Sequence, residues 1–507
     1  MSSMVSSLGL RGLVAHPIRV EVASQRGPSS FQLVGLAEAS VREAHVRVRA
    51  ALKQSGVNID EYLLTVLLAP ADIRKSGSLF DLAIAVALAC EVERLSLDGF
   101  AQTAWLGELS LSGEVRPVRG VLASILEAHR LGFKQVVVPR ENGAEASAQD
   151  DVEVYTVSNL SEAIGFVRGE SLPRAVRVEI PAPDHGEIDL SEIRGQAMAR
   201  RALEIAAAGE HNLLLMGPPG AGKTMLARRL PTILPALTKD ESREVTALHS
   251  IAGLLRSESG VMTRRPFRAP HHTASTVAMS GGGVPIRPGE VSLAHGGVLF
   301  LDEMLEFSRT TLEALRQPLE DRSIQLARAK EVAWFPAALT LVAAINPCPC
   351  GFHGTQRCRC PADAVSRYQR RISGPILDRI DLHVILPPVP AADFSTAGGE
   401  RSADVRARVV AARARQTARH ASLNLRARTN RDLSSAELAR VVGTDAGVQA
   451  VITRAVDTLG FSARGVASVL RVARTIADIA AHPEVLSAHV AEAIQYRPLD
   501  RGLAVRA

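Results

Sequence analysis

One stretch constrains this chain more than any other: LLLMGPPGAGKTMLARRL, residues 213–230. Leu213 to Met216 are apolar and predict a short buried strand. Residues 217–224 fit G-x-x-x-x-G-K-[ST], and a helical pattern follows at once. Strand, glycine-rich turn and helix in that order make a phosphate cradle. In Gly217, Pro218, Pro219, Gly220, Ala221 and Gly222 the glycines let backbone N–H groups approach the phosphates of a nucleotide. Lys223 is expected to place a charge on the β- and γ-phosphates and Thr224 to ligate Mg²⁺.

Three further stretches complete the chemistry that such a cradle needs. HGGVLFLDE ends an apolar strand on Asp302, suited to hold the metal and its water shell, and Glu303, suited to polarise an attacking water. LTLVAAIN ends on Asn346, a polar group expected to orient that water. GPILDRIDLHV sets Arg379 between two aspartates, and GFSARGVASVLRVARTIADI sets Arg464 at a helix start. Either arginine could stabilise charge on a γ-phosphate, from its own chain or from a neighbour. An acidic pair after a strand is common alone, but downstream of this cradle it points to ATP hydrolysis.

At 507 residues the chain exceeds what one core supports and should divide into two to four domains. The hydrophobic share of 46% and charged share of 22% are those of a globular protein. A net charge of +6 permits a nucleic-acid partner without requiring one. The apolar runs LLTVLLAP and LFDLAIAVALAC are too short to cross a bilayer. The opening MSSMVSSLGLRGLVAHP lacks the pattern of a targeting signal, and no scattered disulfide framework is present, so the reducing cytoplasm is the expected compartment. Residues 1–166 alternate strand-like and helical runs, an α/β domain, and a proline-bearing linker spans 167–187. From 188 to 390 short apolar runs alternate with helices, as in a parallel sheet, and 391–507 reads as helices only.

The order of P-loop, LFLDE, AAINP, GPILDRIDL and SARG resembles an AAA+ ATPase. RPFRAPHHT followed by GEVSLAHGGVLFLDE is similar to the magnesium-chelatase-like group and, within it, to the ComM or YifB family. The resemblance covers nearly the whole chain. It implies a homo-oligomeric ring, a hexamer, with ATP between subunits, and a role in recombination during uptake of DNA. By that analogy Asn346 is the sensor-1 residue, Arg379 the trans-acting finger and Arg464 the sensor-2 arginine. A metal-chelatase motor and a protein-remodelling ATPase are the alternatives.

Two segments are candidates to touch a substrate. RSIQLARAKEVAWFP alternates as two short strands and resembles the pre-sensor hairpin of that group, which points into a ring's pore. Arg328 and Lys330 at its tip would then contact DNA phosphates, although the turn lacks the Gly or Asn of a tight hairpin. Residues 401–428 hold eight arginines against the single acid Asp404, a solvated helical face that could also add phosphate contacts.

Residues 107–142 resemble the proteolytic domain of Lon and the related domain of RadA. Ser124 stands where Lon-like proteases carry their lysine base, and Ser78 falls near the nucleophile's place, with Lys75 close by. A serine without a base is not activated, so proteolysis is not expected.

NPCPCGFHGTQRCRC, residues 346–360, gathers Cys348, Cys350, Cys358 and Cys360. Four thiolates suit tetrahedral Zn²⁺, with an iron–sulfur cluster, His353 as a substitute ligand and a thiol switch as alternatives. A closed site of this kind would staple the loop, and the expectation from its position is that it steadies Arg379.

Overall fold

The computed structural model describes residues 3–35, 38, 41, 43–73, 75, 77–176, 188–255, 260–328, 331–388, 398–443 and 445–501. The N-terminal part is built on a seven-stranded mixed sheet. Its order is Ser30–Val34, Tyr62–Ala69, Val14–Arg26, Ser3–Arg11, Thr103–Trp105, Gln135–Pro139 and Glu153–Val157. Val14–Arg26 turns Ile18, Val20 and Val22 inward with period two, as a strand with one covered face must. The run that looked too short for a membrane is the helix Asp81–Glu93, buried from Asp81 through Cys90 between this sheet and its other helices. Among the described residues no helix is long and apolar enough to cross a membrane.

The central part is a five-stranded sheet in which every pairing is parallel. Its order is Phe267–Arg268, Val298–Leu301, Thr340–Ile345, Leu213–Met216 and Leu382–Ile385. Leu213–Met216, Val298–Leu301 and Thr340–Ile345 are buried at every residue, because helices cover both faces. Leu213 lies opposite Val342 and Leu382, and Met216 opposite Ile345 and Ile385. That register puts the residues following three strands, Gly217, Asp302 and Asn346, at one edge. Asn212 and the Arg379–Asp381 turn lie at the other.

The C-terminal part is helical: Ser402–Ser422, Ser435–Val442, Ala446–Leu459, Ala463–Ile479 and Ser487–Gln495. The arginine-rich stretch corrects the expectation of a free basic face. Arg408 pairs with Glu204, Arg413 with Glu210 and the Ala207 carbonyl, Arg406 with the Thr232 carbonyl, and Arg419 with Asp478. The guanidinium groups of Arg406, Arg408 and Arg413 form the seam that joins the helical part to the central one, and that of Arg419 pairs within the helical part.

The N-terminal part is fastened to the central one through two helices, Val121–Arg130 and Lys239–Ala252. Leu122, Ala123 and Ala247 share a small core, and the Gly120 N–H donates to Ser250 Oγ at 2.9 Å.

Candidate functional site

The cradle forms as the sequence requires. Leu213–Met216 leads into the turn, and the helix Lys223–Ile233 begins on Gly222. Gly220 and Gly222 have φ of +79° and +89°, left-handed values that a side chain resists. Gly217 is small for another reason: a Cβ there would lie 2.8 Å from Leu386 Cβ. The Lys223 ammonium donates to the carbonyls of Gly217 (2.6 Å) and Pro218 (3.0 Å) and to Asn346 Oδ1 (3.0 Å). Burial lowers its pKa, while Asp302 and Glu303 oppose the shift. Thr224 Oγ1 donates to Asp302 Oδ2 at 2.9 Å, so the hydroxyl and carboxylate that suit one Mg²⁺ already converge.

Glu303 takes a left-handed φ of +49° and its side chain is 55% exposed beside Asp302. His272 Nδ1 lies 3.7 Å from Glu303 Oε2. Sequence reasoning missed His272, and the adjacent His271–His272 pair was the available signal. Beyond Glu303 opens a cleft of about 870 Å³ with His272, Glu306, Arg309, Arg367, Arg370 and Arg371 in its walls.

Arg379 and Arg464 do not approach this edge. Asn212 Nδ2 donates to the Arg379 carbonyl at 2.7 Å, fixing that turn where the strands begin. A four-residue strand at about 3.3 Å per residue separates the two edges by about 13 Å. The two guanidinium groups meet instead on one carboxylate: Arg379 Nη2 pairs with Glu320 Oε2, and Arg464 Nη2 with Glu320 Oε1 at 2.9 Å. Arg379 Nη1 also donates to the Pro375 carbonyl at 2.6 Å, and its buried Nε has no partner among the described residues. Glu320, which joins them, carried no motif in the sequence.

The cysteine loop is compact. Cys348 Sγ lies 3.4 Å from Cys350 Sγ and 3.9 Å from Cys358 Sγ, and Cys350 Sγ is 3.8 Å from Cys358 Sγ. The sulfurs of all four cysteines lie within 4.8 Å of one another, and none is in a disulfide. Sulfurs placed tetrahedrally at about 2.3 Å from Zn²⁺ are about 3.8 Å apart, so the cluster has the size of one ion and not of a multi-iron core. His353 contributes its backbone N–H to Cys348 Sγ (3.2 Å) rather than its ring. Backbone N–H groups of Arg359 and Phe352 pull the Cys350 thiol down to about 6, while the Cys358 and Cys360 thiols are raised.

The position of this loop corrects the expected link to Arg379. Gly351, at φ +83°, faces the cradle, where an added Cβ would fall 2.6 Å from Pro219 Cδ. The helices Ala362–Gln369 and Gly374–Leu377 intervene before Arg379. The loop therefore sits against the P-loop, at the edge opposite the finger candidate.

The hairpin strands Ser323–Arg328 and Glu331–Pro336 pair out to Arg328 opposite Glu331, closer than the doubtful turn suggested. Lys330 lies outside the described residues, as does the side chain of Arg328. Near its base Ala333 and Phe335 pack with Leu248, leaving Trp334 55% exposed.

In the N-terminal part the Ser78 hydroxyl donates to Glu108, the Ser124 hydroxyl to the Gly120 carbonyl (3.0 Å), and buried Lys75 to the Pro70 carbonyl. None of these contacts joins a serine to a lysine.

Comparison with known proteins identifies matches along most of the chain. Residues 189–394 match the family described as magnesium chelatase, subunit ChlI, residues 20–142 match subunit ChlI of Mg-chelatase, and residues 399–497 match its C-terminal region. A Mycobacterium tuberculosis protein, Rv2897c, is 43% identical over 493 residues, 97% of each chain. YifB of Escherichia coli is 40% identical over 504 residues, 98% of this chain and 97% of its own. Competence protein ComM of Haemophilus influenzae is 39% identical over 508 residues, 98% of each. A shorter likeness, 28% over 159 residues, links 29% of this chain to Lon protease of Syntrophomonas wolfei.

Proposed function

This chain belongs to the ComM/YifB family of magnesium-chelatase-like AAA+ ATPases, and on that premise we propose that it is a cytoplasmic, ATP-hydrolysing ring motor that acts on DNA by branch migration or unwinding. The observation that carries the ring is the separation of two half-sites on one sheet. Lys223, Thr224, Asp302, Glu303 and Asn346 stand at one edge, and the Arg379–Arg464 pair at the other. A copy placed at each edge, head to tail as in a ring, completes both.

In that ring Lys223 leaves its carbonyl contacts for the β- and γ-phosphates. Thr224 and Asp302 hold Mg²⁺, which when bound offsets charge on the phosphate oxygens. Glu303 polarises the attacking water, and His272 holds a proton donor or acceptor against that carboxylate. Asn346 fixes the water's direction. Arg379 and Arg464 from the neighbouring copy face the charge that grows on the γ-phosphate. Residues 1–166 then serve as a scaffold or DNA-facing domain without proteolysis, followed by the linker, the ATPase core to 390 and the helical lid. The cysteine cluster holds Zn²⁺, and elemental analysis should find about one equivalent per chain.

The DNA reading is supported by the family, by the hairpin that carries Arg328 and Lys330, and by the basic cleft beyond Glu303. The arginine-rich helix no longer supports it. A ring size of six is carried over from the resemblance alone. ATP hydrolysis measured with single-stranded, duplex and four-way DNA tests the proposal. Stimulation with displacement of a strand is expected, and hydrolysis indifferent to all three DNAs would sink it. A chelatase-type motor is the second reading. The ChlI match of residues 20–142 favours it. Hydrolysis unmoved by DNA is the result that this reading expects.

A further inference from the structure

We propose that the four-thiolate metal centre is a brace for the P-loop, so that metal occupancy sets the affinity for nucleotide. The inference rests on reading residues 217–224 as the ATP cradle. Three contacts tie the cysteine loop to that cradle. Asn346, which opens the loop, accepts from Lys223 at 3.0 Å, and the preceding carbonyl, Ile345 O, accepts the Gly217 N–H at 3.2 Å. Gly351, the residue after the first Cys-x-Cys clip, lies so close to Pro219 that even a methyl group would collide with the ring. From the far side Gln369 Nε2 donates to the Pro347 carbonyl at 3.0 Å, and Gly351 N–H donates to the Cys348 carbonyl at 2.9 Å.

The physical consequence follows from what holds the loop's shape. Residues 349–361 contain no strand or helix, and backbone bonds inside the loop are few. Without an ion, the two clips meet through sulfur contacts of 3.9 Å (Cys348 to Cys358) and 3.8 Å (Cys350 to Cys358), with no covalent bond between them. With an ion, the two clips are cross-linked and Gly351 is fixed as a wall for Pro219. That wall limits how far the turn at Pro218 and Pro219 can relax outward. The turn's N–H groups must point at phosphate, and displacement of about 1 Å in such a cradle has a large effect on binding and rate. The four thiolates leave no open coordination position, so the ion acts by position and not as a catalyst.

The test is direct titration of Mg²⁺·ATP into full-length protein with zinc counted in each sample. Wild-type protein is measured as purified, after removal of zinc by a chelator under reducing conditions, and after Zn²⁺ is returned. The expected result is about one zinc per chain, a loss of ATP affinity of about ten-fold or more on stripping, and recovery on refilling. A Gly351→Ala variant keeps all four cysteines and is expected to retain zinc while binding ATP as weakly as the stripped protein. If that variant does not fold, the strip-and-refill series decides alone. Equal affinity in the stripped and refilled samples overturns the brace, as does a zinc-loaded Gly351→Ala that binds ATP like wild type. Zinc-loaded wild-type protein that binds no ATP at all would instead refute the nucleotide site on which the brace depends.

Discussion

Glu303 is held where a base for water should be: at the end of a buried strand, on left-handed backbone, next to a carboxylate already engaged by Thr224. Its substitution separates binding from chemistry. Glu303→Gln keeps size and shape but removes the charge that polarises water, so ATP should bind about as in wild type while turnover falls by about 10²-fold or more. Steady-state hydrolysis and equilibrium ATP binding on the same preparation check this, and undiminished turnover would reassign the base. Lys223, Asp302 and Glu303 were legible because each is bound to its neighbours in sequence by a strand-end or helix-start geometry. His272 and Glu320 were not. Each acquires its role from a partner far along the chain, thirty or more residues away, and no local spacing records such a meeting.

The elements themselves were legible where periodicity or continuous apolar runs decided them, and their partners were not. The helix Ser402–Ser422 was readable as a helix rich in arginine. Its sequence could not say that those arginines meet buried carboxylates on Ala197–Gly209 and the turn after it. Glu210 shows the energetics. Burial would raise its carboxyl, but Arg413 and Arg322 overcome that effect and hold it well below the usual carboxylate range. Because the group is ionised in the fold, deleting Arg413 leaves its charge to Arg322. Arg413→Ala should therefore destabilise the protein by about 2 kcal/mol, less than breaking a buried ion pair outright. Denaturant unfolding measures it, and a change within about 0.5 kcal/mol would mean that the seam is solvated. The cysteine loop teaches the same distinction. Its clustering of four thiols was visible in the spacing, whereas its neighbour was misplaced, because sequence proximity to Arg379 says nothing about which edge of the sheet a loop turns toward.

At the scale of the whole molecule, the fold places two incomplete sites on opposite edges of one parallel sheet, and Glu320 gathers both arginines at the edge without a P-loop. Arg379 comes from the central part and Arg464 from the helix Ala463–Ile479 of the C-terminal part, so one carboxylate also couples the two parts. On the proposed ring, the chain should hydrolyse ATP only beside a copy of itself, and complementation between two defective chains tests that. Lys223→Ala should abolish nucleotide binding but leave its arginine edge intact. Arg379→Ala should keep its P-loop but offer its neighbour no finger. Each variant alone should be nearly inactive. In a random equal mixture, an intact P-loop faces an intact finger at about one interface in four, so activity should return to about a quarter of wild type. Pairing Lys223→Ala with Arg464→Ala should recover activity similarly, since both guanidinium groups share the same edge. The variants are mixed under conditions that let subunits exchange, and hydrolysis is followed against each one alone. Recovery in both mixtures makes both arginines trans-acting, recovery with Arg379→Ala only would return Arg464 to its own chain's site, and recovery in neither would refute the edge-to-edge ring.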